Sequence, residues 1–575
     1  MSSVVLRVRS MIERVAASIA GGLARPLGWL ARPAPAAGLL LLMMTGFLVN
    51  GAVGLDFGTH WDEWYHVKGV ASCVDRLSLL PDALSYGGPY FTLGLAVVLA
   101  DRWRDVLGML HDLQTLPRTV DVAALPSSIH FKSTAQALLA TSDYLVRVRA
   151  VFLALSALSI LWVYLAALRC WPRRYGVALA GAAFMGLSWE FGFHARWVAI
   201  DAPLTMFCAL ELFLFCGVWQ AVGPATITRW YAGLAAASGA VFACKLTGAF
   251  AFLPVLLTPF LLRRIVGLRA RALLATLGCL AFLLVSFALS PASYLDPLHF
   301  LNVLRSGSAD YNNIGPTYPY YVGFFEHVWR LLLWLAAVVP SPFPVVAVAF
   351  TALVLGGLAN LLRRETRMTL TWLVFLISFG AVFTHNHLLI VRQYLMFIPF
   401  LALCFARGAG LAWDGLRVRT GRPATMFVVV VAAAFVANGV FETKKAWRIT
   451  RDTADTIAAE AARDLLKDRR PVRMSRVVQE RLSSRLGASY ACRPAELSNK
   501  TINHFLAFQR EHKWMANRVR VFRKVYGGGE ANMNDYTDWA GRLESVRIVD
   551  ASMDTMTALG RNMTVDVDCY PAPRG

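Results

Sequence analysis

Two acidic residues stand side by side in Thr59-His60-Trp61-Asp62-Glu63-Trp64-Tyr65-His66, directly after a long apolar run. A carboxylate pair of this kind suits general-base work, one group taking a proton from a hydroxyl nucleophile while the other orients it. Isolated basic residues follow at intervals. They are Arg147 and Arg149, Arg196 five residues before Asp201, Lys245 in Cys244-Lys245-Leu246-Thr247-Gly248, and Arg392 in Arg392-Gln393-Tyr394. Arg and Lys at such points can stabilise a departing phosphate through charge-assisted hydrogen bonds. Each group also has a plainer explanation. Acids among aromatics mark a membrane boundary, Arg196 and Asp201 staple the turn between them, and a lone Lys snorkels to the interface. His385 and His387, with no acidic neighbour, read as turn histidines rather than metal ligands.

What must position these residues is a membrane bundle. The chain of 575 residues carries 57 Lys+Arg against 36 Asp+Glu, a net charge of +21, yet only 16% of it is charged and 57% is hydrophobic. That balance excludes a disordered chain and argues against a purely soluble enzyme. The deficit of charge is uneven, because residues 442–575 hold 24 basic and 17 acidic residues in 134, as a soluble domain does. Runs long enough to cross a hydrocarbon core of roughly 30 Å recur near 35–55, 150–169, 176–193, 200–220, 230–244, 246–262, 272–290, 343–362, 369–384, 389–408 and 424–441, about eleven spans. Arg169, Arg173 and Arg174, then Arg263 to Arg271, Arg363 to Arg367 and Arg417 to Arg422 share one side. Positive residues favour the cytoplasm, so the basic excess reads as a topology signal and not as a nucleic-acid footprint.

The expected architecture is therefore an all-α polytopic membrane protein with a C-terminal extracytoplasmic α/β domain. Residues 1–33 form a basic amphipathic cytoplasmic segment, 34–441 the transmembrane domain with outer loops 56–147 and 291–342, and 442–575 the soluble domain. Within that domain, Asp452 to Lys467 has the spacing of an amphipathic helix, and Val472–Met474, Ser545–Val549 and Met563–Cys569 read as strands. Gly87–Ala100 and Tyr320–Val339 are apolar segments lying at the outer interface. Nine Cys form no C-x-x-C pair. Cys492 and Cys569 fall in the tail, where an oxidising compartment would allow them to pair. The parity puts every chemically interesting residue named above on one face of the membrane.

In order and placement these motifs resemble the GT-C superfamily of integral-membrane glycosyltransferases, most closely the branch of protein O-mannosyltransferases and the aminoarabinose transferases that modify lipid A. The likeness rests on Asp62-Glu63 after the first span, Arg149 opening the second, Arg196 through Asp201 and Leu204, Lys245-Leu246-Thr247-Gly248, and Arg392 and Tyr394 leading to Pro399, and it covers most of residues 34–441. Two places depart from the pattern. Tyr86-Gly87-Gly88-Pro89-Tyr90 stands where the family often has a His-Pro-Pro-type segment, and Gln393 intervenes between Arg392 and Tyr394.

The resemblance implies an inverting transfer of a sugar from a polyprenyl-phosphate donor to a hydroxyl of a lipid, glycan or protein acceptor on the outer face of the membrane; richness in Ala and Arg points to a GC-rich bacterial genome, and so to a bacterial inner membrane. By that analogy Asp62 is the general base and Glu63 orients it or the acceptor. Arg149 and Lys245 hold the donor phosphate, with Arg392 a further phosphate residue beside Tyr394, and Arg196 and Asp201 shape the cavity. No metal and no cofactor are implied. A transporter or flippase of a lipid-linked or anionic solute is the main alternative. Against it, no internal repeat is evident, and the acids sit at span ends rather than near the midplane.

Overall fold

The computed structural model of the protein describes residues 32–52, 55, 61–81, 87–115, 125–265, 267–312, 323–337, 339–341, 343–385, 391–419 and 426–440, and four strands at 472–474, 490–494, 547–548 and 567–571. The expected basic segment 1–33 (all but its last two residues) and the expected helix Asp452–Lys467 lie outside the described residues. In hydrocarbon the backbone must satisfy its own polar groups, so uncharged Leu/Ala/Val/Phe runs become helices. In chain order these are α1 (Pro33–Ala52), α2 (Trp61–Arg76), α3 (Gly88–Asp101), α4 (Trp103–Thr115), α5 (Pro126–Leu139), α6 (Ser142–Cys170), α7 (Tyr175–Gly186), α8 (Trp189–His194), α9 (Asp201–Gln220) and α10 (Pro224–Cys244). A 3-10 turn (Leu246–Ala251) leads into α11 (Phe252–Leu261), followed by α12 (Leu268–Leu289), α13 (Ala292–Leu295), α14 (Pro297–Asn312), α15 (Phe324–Ala337), α16 (Pro344–Arg364) and α17 (Thr366–Thr384). A second 3-10 turn (Val391–Phe397) opens α18 (Ile398–Arg419), and α19 is Met426–Val440.

Among the described residues seven segments are long and apolar enough to cross a membrane: α1, Asp143–Cys170 of α6, α9, α12, α16, α17, and Arg392–Arg417 through α18. The chain is a polytopic helical membrane protein. The remaining four of the expected spans are helices in the expected places, but α7, the Leu246–Leu261 segment and α19 are short, and α10 carries Arg229. The break between the fifth and sixth expected spans has a local cause. Lys245 ends α10 in an extended conformation (φ −158°, ψ 135°), and the chain restarts as a 3-10 turn before becoming helical again.

Successive helices run up and down, so residues 142, 201, 244 and 391 meet at one end of the bundle. At the other end Arg174 clamps Asp414 with two bonds of 2.7 Å, and Arg367 donates to the Leu261 carbonyl at 3.1 Å. The basic clusters of the sequence thus gather at the end away from the candidate site. The most extensive helix contacts are α6 with α9, α10 with α12, and α16 with α18. The span windows of α9 and Arg392–Arg417 are 72% and 78% buried, against 17% for α12, so the core lies around α9 and α18 and α12 is peripheral. In the tail β1 (Val472–Met474), β2 (Tyr490–Pro494), β3 (Arg547–Ile548) and β4 (Val567–Pro571) form one sheet in the order β2-β4-β1-β3. β1 and β3 are parallel, and the other two pairs antiparallel.

Candidate active site

Glu63 sits on the first turn of α2, the helix that begins just beyond the end of α1. Its carboxylate is fully buried and is held on two sides by Arg149 of α6. Arg149 Nε donates to Oε1 at 2.8 Å and Nη2 to Oε2 at 2.5 Å, while Nη1 donates to the Leu55 carbonyl at 2.6 Å. The Val198 amide adds a donor to Glu63 Oε1 at 3.0 Å. With side-chain exposures of 1% and 0%, this pair is shut off from solvent. A bidentate, desolvated Arg–carboxylate pair is a rigid staple, and here it ties α2, α6, the end of α1 and the turn before α9 together.

Three residues beyond Val198, within about 11 Å of chain, Asp201 opens α9 and forms the second cluster. Lys245 Nζ donates to Asp201 Oδ1 at 2.9 Å, and Arg392 Nε lies 3.5 Å from Oδ2. Asp201 is 3% exposed, while Lys245 and Arg392 keep 18% and 12% of their side-chain surface open. Lys245 and Arg392 thus meet on the one Asp201 carboxylate and are the partly open members of this cluster, whereas the Glu63–Arg149 pair is closed. The breaks that deliver these cations are irregular backbone: the extended Lys245 and the 3-10 turn carrying Arg392.

The turn 195–200 joins the two clusters and is itself buried. Arg196 is 3% exposed, and Trp197, Val198, Ala199 and Ile200 are equally inside. The Val198 carbonyl accepts from Tyr90 Oη at 3.2 Å, which docks α3 on the turn. The Gly87-Gly88-Pro89-Tyr90 segment reaches this point by pressing its backbone on two helix ends. Gly87 N donates to Cys244 O at 3.1 Å and Gly88 N to Ser290 Oγ at 3.1 Å. A Cβ on Gly87 would fall 1.6 Å from the Ala243 carbonyl oxygen, and one on Gly88 1.9 Å from that of Leu289, so no larger residue fits. The departure from the His-Pro-Pro pattern is therefore a close-packing device next to Lys245.

Two buried histidines support the arrangement. His66, one turn after Glu63, hydrogen-bonds Tyr144 Oη of α6 at 2.8 Å and packs against Tyr90 and Phe91. Burial pushes its imidazole down to about 3, so it is neutral. His327 of α15 shares a 2.9 Å hydrogen bond with Tyr394 Oη, and both residues are buried.

The expectations fare differently residue by residue. Asp62 is the second residue of α2, and its side chain lies outside the described residues. Glu63 is fully buried, and its carboxylate accepts from Arg149 and from the Val198 amide. The Arg149 guanidinium is buried and donates to Glu63 and to the Leu55 carbonyl. Arg147, by contrast, is half exposed and pairs with Asp101 at the surface. Arg196 and Asp201 flank the linking turn, but the cations on Asp201 are Lys245 and Arg392. Tyr394 turns its hydroxyl to His327, so it braces the Arg392 turn. His385 caps its own helix by contacting the Ala381 carbonyl, as a turn histidine does, and His387 lies outside the described residues. Sequence reading missed Val198, Tyr90 and His327. Only His327 carried a signal, since it lies with Arg330, Leu331 and Trp334 on the inward face of amphipathic α15.

Fold and site define a polytopic membrane protein with a charged cluster at one end of its bundle. No family model and no curated protein sequence matches the chain. Among solved structures it is similar to ArnT from Cupriavidus metallidurans bound to undecaprenyl phosphate, at 17% identity and a TM-score of 0.43, over 75% of this chain and 73% of that one. It is also similar to the oligosaccharyltransferase of Archaeoglobus fulgidus in its apo form, at 10% identity and a TM-score of 0.45, over 71% of this chain and 56% of the other. Both are GT-C glycosyltransferases, the superfamily that the sequence motifs resemble. A likeness of this size assigns neither a reaction nor residue roles to this chain.

Proposed function

We propose that the protein is an inverting glycosyltransferase that moves a sugar from a polyprenyl-phosphate donor to a hydroxyl of a lipid, glycan or protein acceptor. The observation that carries this reading is the Asp201 cluster, where Lys245 and Arg392, both partly open, meet on one buried carboxylate. A phosphate monoester or diester arriving in the membrane plane is the kind of anion that two such cations suit. Lys245 and Arg392 bind its oxygens and stabilise them as the glycosidic bond breaks, the moment when charge on the leaving phosphate grows. Asp201 holds both cations in place before the donor arrives, so little reorganisation is needed.

With Glu63 taken up by Arg149, the base is Asp62. It removes the proton of the acceptor hydroxyl as that oxygen attacks the anomeric carbon from the face opposite the phosphate, inverting its configuration. Glu63 and Arg149 fix the start of α2, which sets where Asp62 stands relative to the Val198–Asp201 turn. The reaction needs no redox or group-carrying cofactor, because the donor brings its own activated sugar.

The site end faces outward and the basic clusters of the far end face the cytoplasm, a reading supported by the run of Arg at that end. We read that membrane as the inner membrane of a bacterium. Residues 442–575 then form an extracytoplasmic α/β domain on the side of the site, a reading supported by the mixed four-stranded sheet. The decisive experiment is sugar transfer in membranes supplied with labelled polyprenyl-phosphate sugar. Asp62→Asn abolishes transfer while the protein still inserts and elutes as a folded species. Undiminished transfer by that variant would remove the base assignment, and labelled donor crossing the membrane without transfer would favour a flippase.

A further inference from the structure

We infer that Cys492 and Cys569 form a disulfide that closes the C-terminal domain, because the sheet puts them directly opposite each other on β2 and β4. The antiparallel ladder pairs Tyr490 with Pro571, Ala491 with Tyr570, Cys492 with Cys569, Arg493 with Asp568 and Pro494 with Val567. Two independent features support this register. The rung beside the cysteines sets a basic residue, Arg493, opposite an acidic one, Asp568, a register that a one-residue slip would change. The rung itself brings together the only two cysteines among residues 442–575, which stand 77 positions apart in the chain.

The geometry suits the bond. Directly opposed residues of antiparallel strands have Cα atoms about 4.5 or 5.5 Å apart, depending on the rung, and disulfides span roughly 4.4–6.8 Å. Opposed residues also share one face of the sheet. The seven cysteines of the helical region are free thiols, five of them buried. They serve as packing groups, so the tail pair is the one cysteine arrangement of the chain with a strand register behind it.

Formation takes two thiols to one S–S bond, with loss of two protons and two electrons. The oxidant is a disulfide donor of the extracytoplasmic thiol-oxidising class, which is reduced to its dithiol in the exchange. In this one respect the inference rests on the proposed outward placement of the tail. Its effect is to tie edge strand β2 to the C-terminal strand β4 across a loop of more than seventy residues, so that the sheet order is kept by a covalent bond.

The test uses the full chain in native membranes. Thiols are trapped with N-ethylmaleimide in denaturant, the protein is reduced, and newly exposed thiols are labelled with a polyethylene-glycol maleimide. Two labels per chain are expected in the wild type and none in Cys492→Ser or Cys569→Ser. Peptide mass spectrometry of the unreduced wild type, which needs no variant to fold, should give the cross-linked 492–569 pair. No label after reduction, with both peptides alkylated from the start, overturns the disulfide. A membrane-impermeant maleimide applied to intact cells separates the two failures. If the free thiols are reached from outside, the disulfide is wrong and the placement stands. If they are reached only after permeabilisation, the placement has failed as well.

Discussion

Removing Arg149 tests how the site is built. In Arg149→Met the Glu63 carboxylate stays fully buried and keeps only the Val198 amide among the partners described above. Breaking a buried pair by deleting one partner costs about 3–5 kcal/mol, a large share of a typical stability of roughly 5–15 kcal/mol. Glu63→Gln in the wild-type background strands the guanidinium instead, at a similar cost. The double variant Glu63→Gln/Arg149→Met strands no charge, and replacement of a whole buried pair by groups of similar volume is often neutral or better. Each single variant should therefore lower the melting temperature of the purified, detergent-solubilised protein by about 10 °C, at roughly 2–4 °C per kcal/mol. The double variant should recover most of that loss. A donor-phosphate role for Arg149 predicts the reverse pattern. Arg149→Met would then melt like the wild type, its KM for the donor would rise, and the second substitution would rescue nothing. That outcome would refute the staple.

Lys245→Met should raise the KM for polyprenyl-phosphate sugar by about 10- to 100-fold, the loss of one charge-assisted hydrogen bond, and leave acceptor KM within twofold; a change confined to acceptor KM would move Lys245 out of the phosphate site. Glu211→Met should raise thermal stability by about 1–3 kcal/mol, because Glu211 lies buried in α9 and neither carboxylate oxygen has a hydrogen-bond partner among the described residues. Loss of stability in that variant would mean the carboxyl is used. The wild type should lose about 2 kcal/mol between pH 7 and pH 5, since an unfolded histidine protonates below about 6.5 while folded His66 resists until about 3. Stability thus falls as pH falls, and His66→Phe should flatten that slope in melting curves; an unchanged slope would place the acid sensitivity elsewhere. Gly87→Ala should destabilise by about 1–3 kcal/mol, because its methyl group meets the Ala243 carbonyl, and a wild-type melting point would show that the segment is free to move.

The sequence carried the bundle well and the roles less well. Helices are legible because spans need length and apolarity, which single residues cannot hide, and the parity of basic loops follows from the same runs. The short helices α7 and α19 and the break at Lys245 were harder, because a 3-10 restart has the same composition as a helix. In the site, ionisable residues at span ends pointed to Asp201, Lys245 and Arg392, which the structure brings together. What spacing could not tell was pairing. Asp201 takes Lys245 and Arg392, far off in sequence, instead of Arg196 five residues away, and Arg149 takes Glu63. Long-range pairs depend on how helices pack, which no local pattern encodes. Val198 and Tyr90 contribute through a backbone amide and a phenol on an apolar stretch, so residue type gave no warning of them.

The central claim is that Lys245 and Arg392, held by Asp201, form the seat of a polyprenyl phosphate. Native mass spectrometry of the protein released from gently solubilised membranes tests it directly, with Lys245→Met/Arg392→Met as the partner sample. The wild type should carry a bound polyprenyl phosphate or its sugar derivative, and the double variant should emerge without it at equal yield. Equal lipid occupancy in both samples, or none in the wild type even after incubation with the donor, would contradict the account.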